Sequence, residues 1–180
     1  DVAPPLLSDF AMILESMEGS ESLVERVKKY TQGTWAGFLN QPSNVDINKK
    51  LVVFSIRDME DDLKPAAMYI ITHYIWNKIR DRKGLRKRLL VVDEAWTMMQ
   101  SEDAASFLFA MAKRGRKYYL GLATITQDVN DFLGSKYGPA IITNSSIQIL
   151  LRQSPVSIDN IQKVFHLKKQ KKDALLKAPT

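Results

Sequence analysis

A chain of 180 residues is the size of one domain and is long enough to bury about 70% of the surface that its unfolded form exposes. Its composition, 45% hydrophobic and 26% charged, is that of a globular protein, and the absence of cysteine and of any apolar run of membrane-spanning length removes disulfide frameworks and transmembrane helices from consideration. A formal charge of +6 and a pI near 9.4 permit contact with nucleic acid or anionic lipid, but an excess of this size is also simply solubilising.

The first third reads as small helices followed by a strand. Ser8 is a candidate cap for a helix carrying Phe10, Met12, Ile13, Leu14 and Met17, with Gly19 as its stop. A second helix, capped by Ser20 or Ser22, carries Leu23, Val24, Val27 and Tyr30 and ends near Gly33. An irregular aromatic stretch follows, and Gln41-Pro42-Ser43-Asn44 marks a turn, so residues 1–45 form a small helical and irregular subregion of a single domain spanning 1–180. Leu51 to Ile56 is an aliphatic strand, and the acidic cluster Asp58, Glu60, Asp61 and Asp62 leads into a long helix with Pro65 in its first turn. Leu63, Ala66, Ala67, Ile70, Ile71, Tyr74, Ile75 and Ile79 recur at three and four residues, the spacing of a helix face packed on a sheet. His73 has neither a cysteine nor a second histidine nearby and reads as an ordinary helix histidine. The helix closes on Lys78, Arg80, Arg82 and Lys83 before Gly84, with Arg86, Lys87 and Arg88 beyond; cations at a helix C-terminus suit its dipole, and a nucleic-acid contact is the alternative.

After Arg88, the four aliphatic residues Leu89 to Val92 end in two adjacent carboxylates, Asp93 and Glu94. A continuous apolar run without alternation predicts a strand covered on both faces in a parallel sheet, and ligands collect at the carboxyl ends of such strands. Two acids at a strand tip suit metal-assisted phosphoryl transfer, one holding Mg²⁺ with waters retained and one orienting or deprotonating the attacking water, which is the Walker B pattern. Ser101, Glu102 and Asp103 begin a helix through Phe107, Leu108, Met111 and Ala112 that ends at Lys113-Arg114-Gly115-Arg116-Lys117. A strand over 118–124 follows and ends in Thr124, Thr126, Gln127 and Asp128. Short helices around Phe132 and over Pro139 to Asn144 precede a further apolar strand, Ile147 to Leu151, which runs directly into Arg152 and Gln153. Ser157 caps a last amphipathic helix with Ile158, Ile161, Val164, Phe165 and Leu167, and the lysine-rich tail reads as a solvated helix face or a frayed end.

Strands alternating with helices predict an α/β fold with a mainly parallel sheet flanked by helices. Three of the predicted strands end in groups suited to a nucleotide: Asp93 and Glu94, then Gln127, then Arg152. In this order, the leading Pro-Leu-Leu-Ser-Asp segment, the Tyr30-Thr31-Gln32-Gly33 turn, a strand ending near Asp58, Asp93-Glu94-Ala95-Trp96, Lys113-Arg114-Gly115-Arg116-Lys117, Thr126-Gln127-Asp128 and Leu151-Arg152-Gln153 resemble the C-terminal ATPase domain of conjugative type IV secretion ATPases, the TraC-like or VirB-four-like members of the HerA/FtsK branch of RecA-like motors. The resemblance runs from about Pro5 to Leu167 and implies a RecA-like P-loop NTPase core that hydrolyses ATP with Mg²⁺. It implies that Asp93 holds Mg²⁺ through water, that Glu94 activates the hydrolytic water and that Gln127 senses the γ-phosphate. Arg116 would reach a neighbouring subunit's nucleotide, Arg114 and Lys117 are weaker candidates for nucleotide contact, and Arg152 would be a second phosphate-directed arginine. A guanidinium fork suits these positions because charge spreads over the transferred phosphoryl, although Arg114 and Arg116 also lie where helix-ending cations belong. The implied partners are further copies in a hexamer and other type IV secretion subunits at the cytoplasmic face of the inner membrane, with nucleic acid as a possible third.

One feature of the family pattern is missing. No G-x-x-x-x-G-K-[ST] loop occurs in the sequence. The chain also opens on Asp1 and lacks a finished domain end, so it is expected to be a piece of a longer protein whose phosphate loop precedes it, and to hydrolyse ATP poorly by itself. In the RecA-like strand order that the resemblance implies, the missing loop strand lies between those of 118–124 and 147–151, which predicts a sheet with a vacant interior slot. Two other readings remain: a DNA-pumping coupling protein or HerA-like translocase, and a non-catalytic nucleic-acid-binding module using the basic surfaces around Arg80 to Arg88 and Lys168 to Lys172.

Overall fold

The computed structural model describes residues 3–44, 46, 49–80, 86–127 and 129–178. Arg82, Lys83, Gly84 and Asp128, all singled out in the sequence, lie outside the described residues. The chain divides into two compact units, Asp1–Val53 and Phe54–Thr180.

The first unit is a helical hairpin, α1 (Leu7–Glu15) and α2 (Glu21–Thr31), followed by one turn of helix, α3 (Ala36–Leu39). Ala11 and Leu14 of α1 pack against Val24 and Val27 of α2, while Phe10, Met12, Ile13 and Met17 remain exposed. The caps differ from expectation. Ser8 lies inside α1, and the Asp9 carboxylate reaches back to accept the Leu6 N–H at 2.7 Å, doing at the third helical position what a capping hydroxyl would otherwise do. Ser20 precedes α2 but turns its hydroxyl the other way, towards the Leu14 and Met17 carbonyls at the end of α1 and just beyond it. Gly19 between them has φ 77°, the left-handed backbone that only glycine adopts without strain, and it is the stop that the sequence marks.

The second unit holds the sheet. Helix α4 (Lys64–Arg80) precedes β1 (Arg88–Val92), α5 (Ala95–Met99) and α6 (Glu102–Arg114), and a 3₁₀ turn (Gly115–Tyr118) leads into β2 (Leu120–Thr124). The two strands are parallel, in register from Arg88 opposite Leu120 to Val92 opposite Thr124. Parallel neighbours need a long crossover, which α5 and α6 supply. Ile75, Trp76 and Ile79 of α4, Phe107 and Met111 of α6, Leu90 of β1 and Leu120 and Leu122 of β2 form one apolar cluster, so both long helices cover the same face of the sheet. A second cluster joins Ala95 and Met98 of α5 to Ala104 and Leu108 of α6, and through them to Phe132 of α7 (Val129–Gly134) and Ile141 of α8 (Gly138–Asn144). Helices α9 (Ile158–Val164) and α10 (Lys169–Lys177) finish the unit, held by a Lys172–Asp159 ion pair and by the Gln153 N–H donating to the Leu175 carbonyl at 3.2 Å.

The α/β class with a parallel sheet flanked by helices is present, but the sheet is smaller than the apolar runs predict. Residues 51–56 and 147–151 are extended without joining a ladder, and among the described residues the sheet has only β1 and β2. A strand exists through hydrogen bonds to a neighbour, and no described strand lies beyond β2, where the vacant slot is expected. The Ile147, Ile149 and Leu151 side chains are accordingly 82%, 80% and 75% exposed. The expectation that β1 is covered on both faces is also corrected: its burial alternates, with Leu89 69% and Val91 52% exposed, because α4 and α6 share one side. Strand β2 starts at Leu120 rather than 118, since Gly115–Tyr118 forms the 3₁₀ turn and Tyr119 takes a left-handed conformation at φ 54°. Leu63, just before α4, and Ala67 and Ile79 on it are buried as expected, but Ile70 and Tyr74 are exposed.

Candidate functional site

Because β1 and β2 are parallel and in register, their carboxyl ends emerge side by side, and the residues after Val92 meet those after Thr124. The pairing continues past the strands: the Ile125 N–H donates to the Val92 carbonyl at 2.9 Å, and the Ala95 N–H donates to the Ile125 carbonyl at 2.8 Å. Asp93 and Glu94 therefore sit in a turn pinned at both ends. Glu94 has φ 47° and ψ 46°, a left-handed conformation that costs a non-glycine residue about 1 kcal/mol and persists only where its surroundings enforce it. Those surroundings are local. The Glu94 N–H donates to Asp93 Oδ1 at 2.9 Å, and the Glu94 carbonyl accepts from the Thr97 N–H at 2.9 Å and from Thr97 Oγ1 at 2.8 Å. Ala95, fully buried, and Met98 anchor α5 in the core directly behind the turn.

The Glu94 carboxylate accepts two hydrogen bonds. Gln127 Nε2 donates to Oε1 at 2.6 Å, across the two strand tips, and Trp96 Nε1 donates to Oε2 at 2.5 Å. Among the described residues no cation forms an ion pair with Asp93 or Glu94. Asp93 is exposed, with Oδ1 engaged by the backbone, and a carboxylate on an open strand tip suits a Mg²⁺ ligand that acts through retained waters. No group of three or more His, Asp or Glu side chains able to hold a metal ion occurs among the described residues.

The cationic candidates lie elsewhere. Arg114 ends α6, and Arg116 and Lys117 stand in the 3₁₀ turn before β2, all three exposed. That is the amino end of the strand, about 13 Å of strand rise from the tip that carries Gln127. The crossover forces this separation, because α6 must return to the start of the sheet before β2 can run parallel to β1. Arg152 follows the extended 147–151 segment and is exposed. Of the candidate site residues, then, the fold brings together Asp93, Glu94 and Gln127, and it leaves Arg114, Arg116 and Lys117 at the other end of β2. Trp96 belongs to the cluster but received no role from the sequence; the signal was a donor-only side chain two residues beyond the acid, readable only once the turn at Glu94 is known to be left-handed.

Comparison with known proteins bears on the site. The family model described as the TraG P-loop domain matches residues 17–179. Protein TraC of Escherichia coli is 29% identical over 144 residues, covering 74% of this chain and 16% of that protein. The type IV secretion system protein virB4 of Bartonella quintana is 22% identical over 152 residues, covering 82% of this chain and 19% of that protein. The DNA import protein CedB of Sulfolobus acidocaldarius is 36% identical over 72 residues, or 39% of this chain and 12% of its own length. Among solved structures, VirB4 of Thermoanaerobacter pseudethanolicus superposes with a TM-score of 0.78 at 28% identity, covering 97% of this chain and 50% of that one. The chain thus spans less than a fifth of the curated relatives it matches.

Proposed function

The chain belongs to the TraG P-loop domain family, and on that premise we propose that it forms the water-activating half of the ATPase site in a motor that energises type IV secretion or conjugative transfer. The observation that carries the proposal is the convergence of Asp93, Glu94 and Gln127 at the carboxyl end of one parallel strand pair. In this reading Glu94 takes the proton from the attacking water, Gln127 turns its amide toward the terminal phosphoryl group, and Asp93 holds the waters around Mg²⁺. Bound Mg²⁺ would neutralise charge on the phosphates. No G-x-x-x-x-G-K-[ST] loop is present to cradle those phosphates, so the motor needs that loop from other residues and the 180-residue chain by itself turns over little ATP. Arg116, at the opposite end of β2 from Gln127, cannot serve the site at its own strand tips, which favours action on a neighbouring subunit's nucleotide in a ring of six. Arg152 is the second phosphate-directed arginine in this scheme, with Arg114 and Lys117 as further nucleotide contacts. No helix among the described residues is long and apolar enough to cross a membrane. In this scheme the motor acts at the cytoplasmic face of the inner membrane through other secretion subunits.

Phosphate release by the full-length protein tests this. Glu94→Gln, which keeps shape and removes the base, should lower kcat by a factor of about 10² to 10⁴ with little change in nucleotide affinity. Retained turnover in that variant refutes the assignment. The match to a DNA import protein favours a second reading, a motor that moves DNA directly. Strong stimulation of hydrolysis by added DNA would select it.

A further inference from the structure

Both oxygens of the Glu94 carboxylate are occupied, and the two donors differ in kind. Trp96 is half-buried in the first turn of α5, next to fully buried Ala95, so its indole is carried by a helix that is itself anchored in the core. An indole N–H is a single donor with no acceptor, so the Glu94 carboxylate takes up its whole hydrogen-bonding capacity. Gln127 is exposed on the loop after β2, and its amide carries a second hydrogen and an acceptor oxygen, so it can change partners. A carboxylate that must take a proton from a water molecule needs one oxygen open and is best oriented by a bond to the other.

We propose that Trp96 is a positioning residue for Glu94: its indole fixes Oε2 and with it the side-chain orientation, so that Oε1, which Gln127 covers here, is the oxygen that receives the proton once Gln127 turns away. The inference rests on the reading of Glu94 as the base. It explains why the turn at Glu94 is left-handed, since that backbone brings a carboxylate and an indole only two residues apart within 2.5 Å. On this arrangement Trp96 contributes direction and Gln127 contributes timing. The adjacent carboxylate, Asp93, already accepts the Glu94 N–H at Oδ1.

The test replaces Trp96 in the full-length protein by 3-benzothienylalanine, which keeps the bicyclic shape and puts sulfur where the N–H was. Because a hydrogen bond to a charged acceptor is lost, kcat should fall about tenfold to a hundredfold at unchanged KM. A packing role alone, with the bicyclic shape kept, would leave kcat in place. Unchanged kcat, with Glu94→Gln inactive, overturns the role of Trp96 and leaves the site reading standing; an active Glu94→Gln overturns the site reading itself. A second measurement needs no turnover. In the 180-residue chain with its three tryptophans labelled with ¹⁵N, Glu94→Gln should shift one indole N–H resonance upfield, and three unmoved indole resonances would show that the bond does not exist.

Discussion

A single methyl group at Gly138 tests whether the helices behind the site are packed as tightly as the structure indicates. A Cβ there would stand 1.9 Å from the Phe132 carbonyl oxygen, 2.9 Å from its carbon and 3.3 Å from the Leu133 Cα, all backbone atoms. Since contacts under 3.0 Å do not occur at real Cβ atoms, the oxygen must retreat by about 1.1 Å, and the end of α7 must move with it. Phe132 and Ile141, 3% and 1% exposed, then lose part of their burial in the cluster they share with Ala95 and Met98. Losing about half of the 1.5–3 kcal/mol that each buried side chain contributes, with added strain, puts Gly138→Ala at about 2–4 kcal/mol of destabilisation. With a urea slope of about 1–3 kcal/mol per molar, the unfolding midpoint should drop by roughly 1–2 M. Gly134→Ala is the control, because nothing lies within 4 Å of the added carbon at that last residue of α7; a helical alanine should leave stability unchanged or raise it by about 0.5–1 kcal/mol. Midpoints that coincide for wild type and Gly138→Ala would refute the packing argument, and with it the claim that α7 and α8 brace the helix carrying Trp96.

Two further outcomes follow from charge placement. If Arg116 serves a neighbouring subunit, Arg116→Ala and Glu94→Gln subunits should each be inactive alone yet recover turnover when mixed, because some interfaces then pair an intact arginine with an intact acid; no recovery on mixing places the two residues in one site. Glu102 accepts from the Tyr137 hydroxyl at 2.9 Å and pairs with Lys136, and the Lys136 ammonium, followed by the Tyr137 hydrogen bond, holds its carboxyl below the usual carboxylate range. A depressed folded-state value contributes stability above the unfolded value and loses it as pH falls through the folded one. Glu102→Gln should therefore melt slightly below wild type at neutral pH, with the gap closing below the ordinary carboxylate range; a gap that persists in strong acid would mean that the ion pair is not its source.

Much of the site was legible in the chain because its determinants are local or follow from parallel pairing. An apolar run that ends in Asp93 and Glu94 announces a strand tip, and a second run that ends before Gln127 announces another. Once the intervening residues form α5 and α6, the two tips must emerge on the same side. Gly19 as a stop, the helix over 102–114 and the amphipathic helix after Ser157 are equally local, set by backbone freedom and by spacing of three and four residues.

Tertiary structure alone decided the rest. Apolar runs at 51–56 and 147–151 have the composition of strands, but a ladder needs a neighbour, and the described residues supply one only to β1 and β2. The exposure of Leu89, Val91, Ile70 and Tyr74 depends on which face α4 and α6 cover, which periodicity within one segment does not encode. Arg114, Arg116 and Lys117 are near Gln127 in sequence but at the far end of β2, because a strand converts eleven residues of separation into length rather than contact. The Trp96 and Gln127 bonds to Glu94 arise from a left-handed turn and from strand pairing across 33 residues. Sequence determined which groups stand at the strand tips, and the pairing of the strands decided which of them meet.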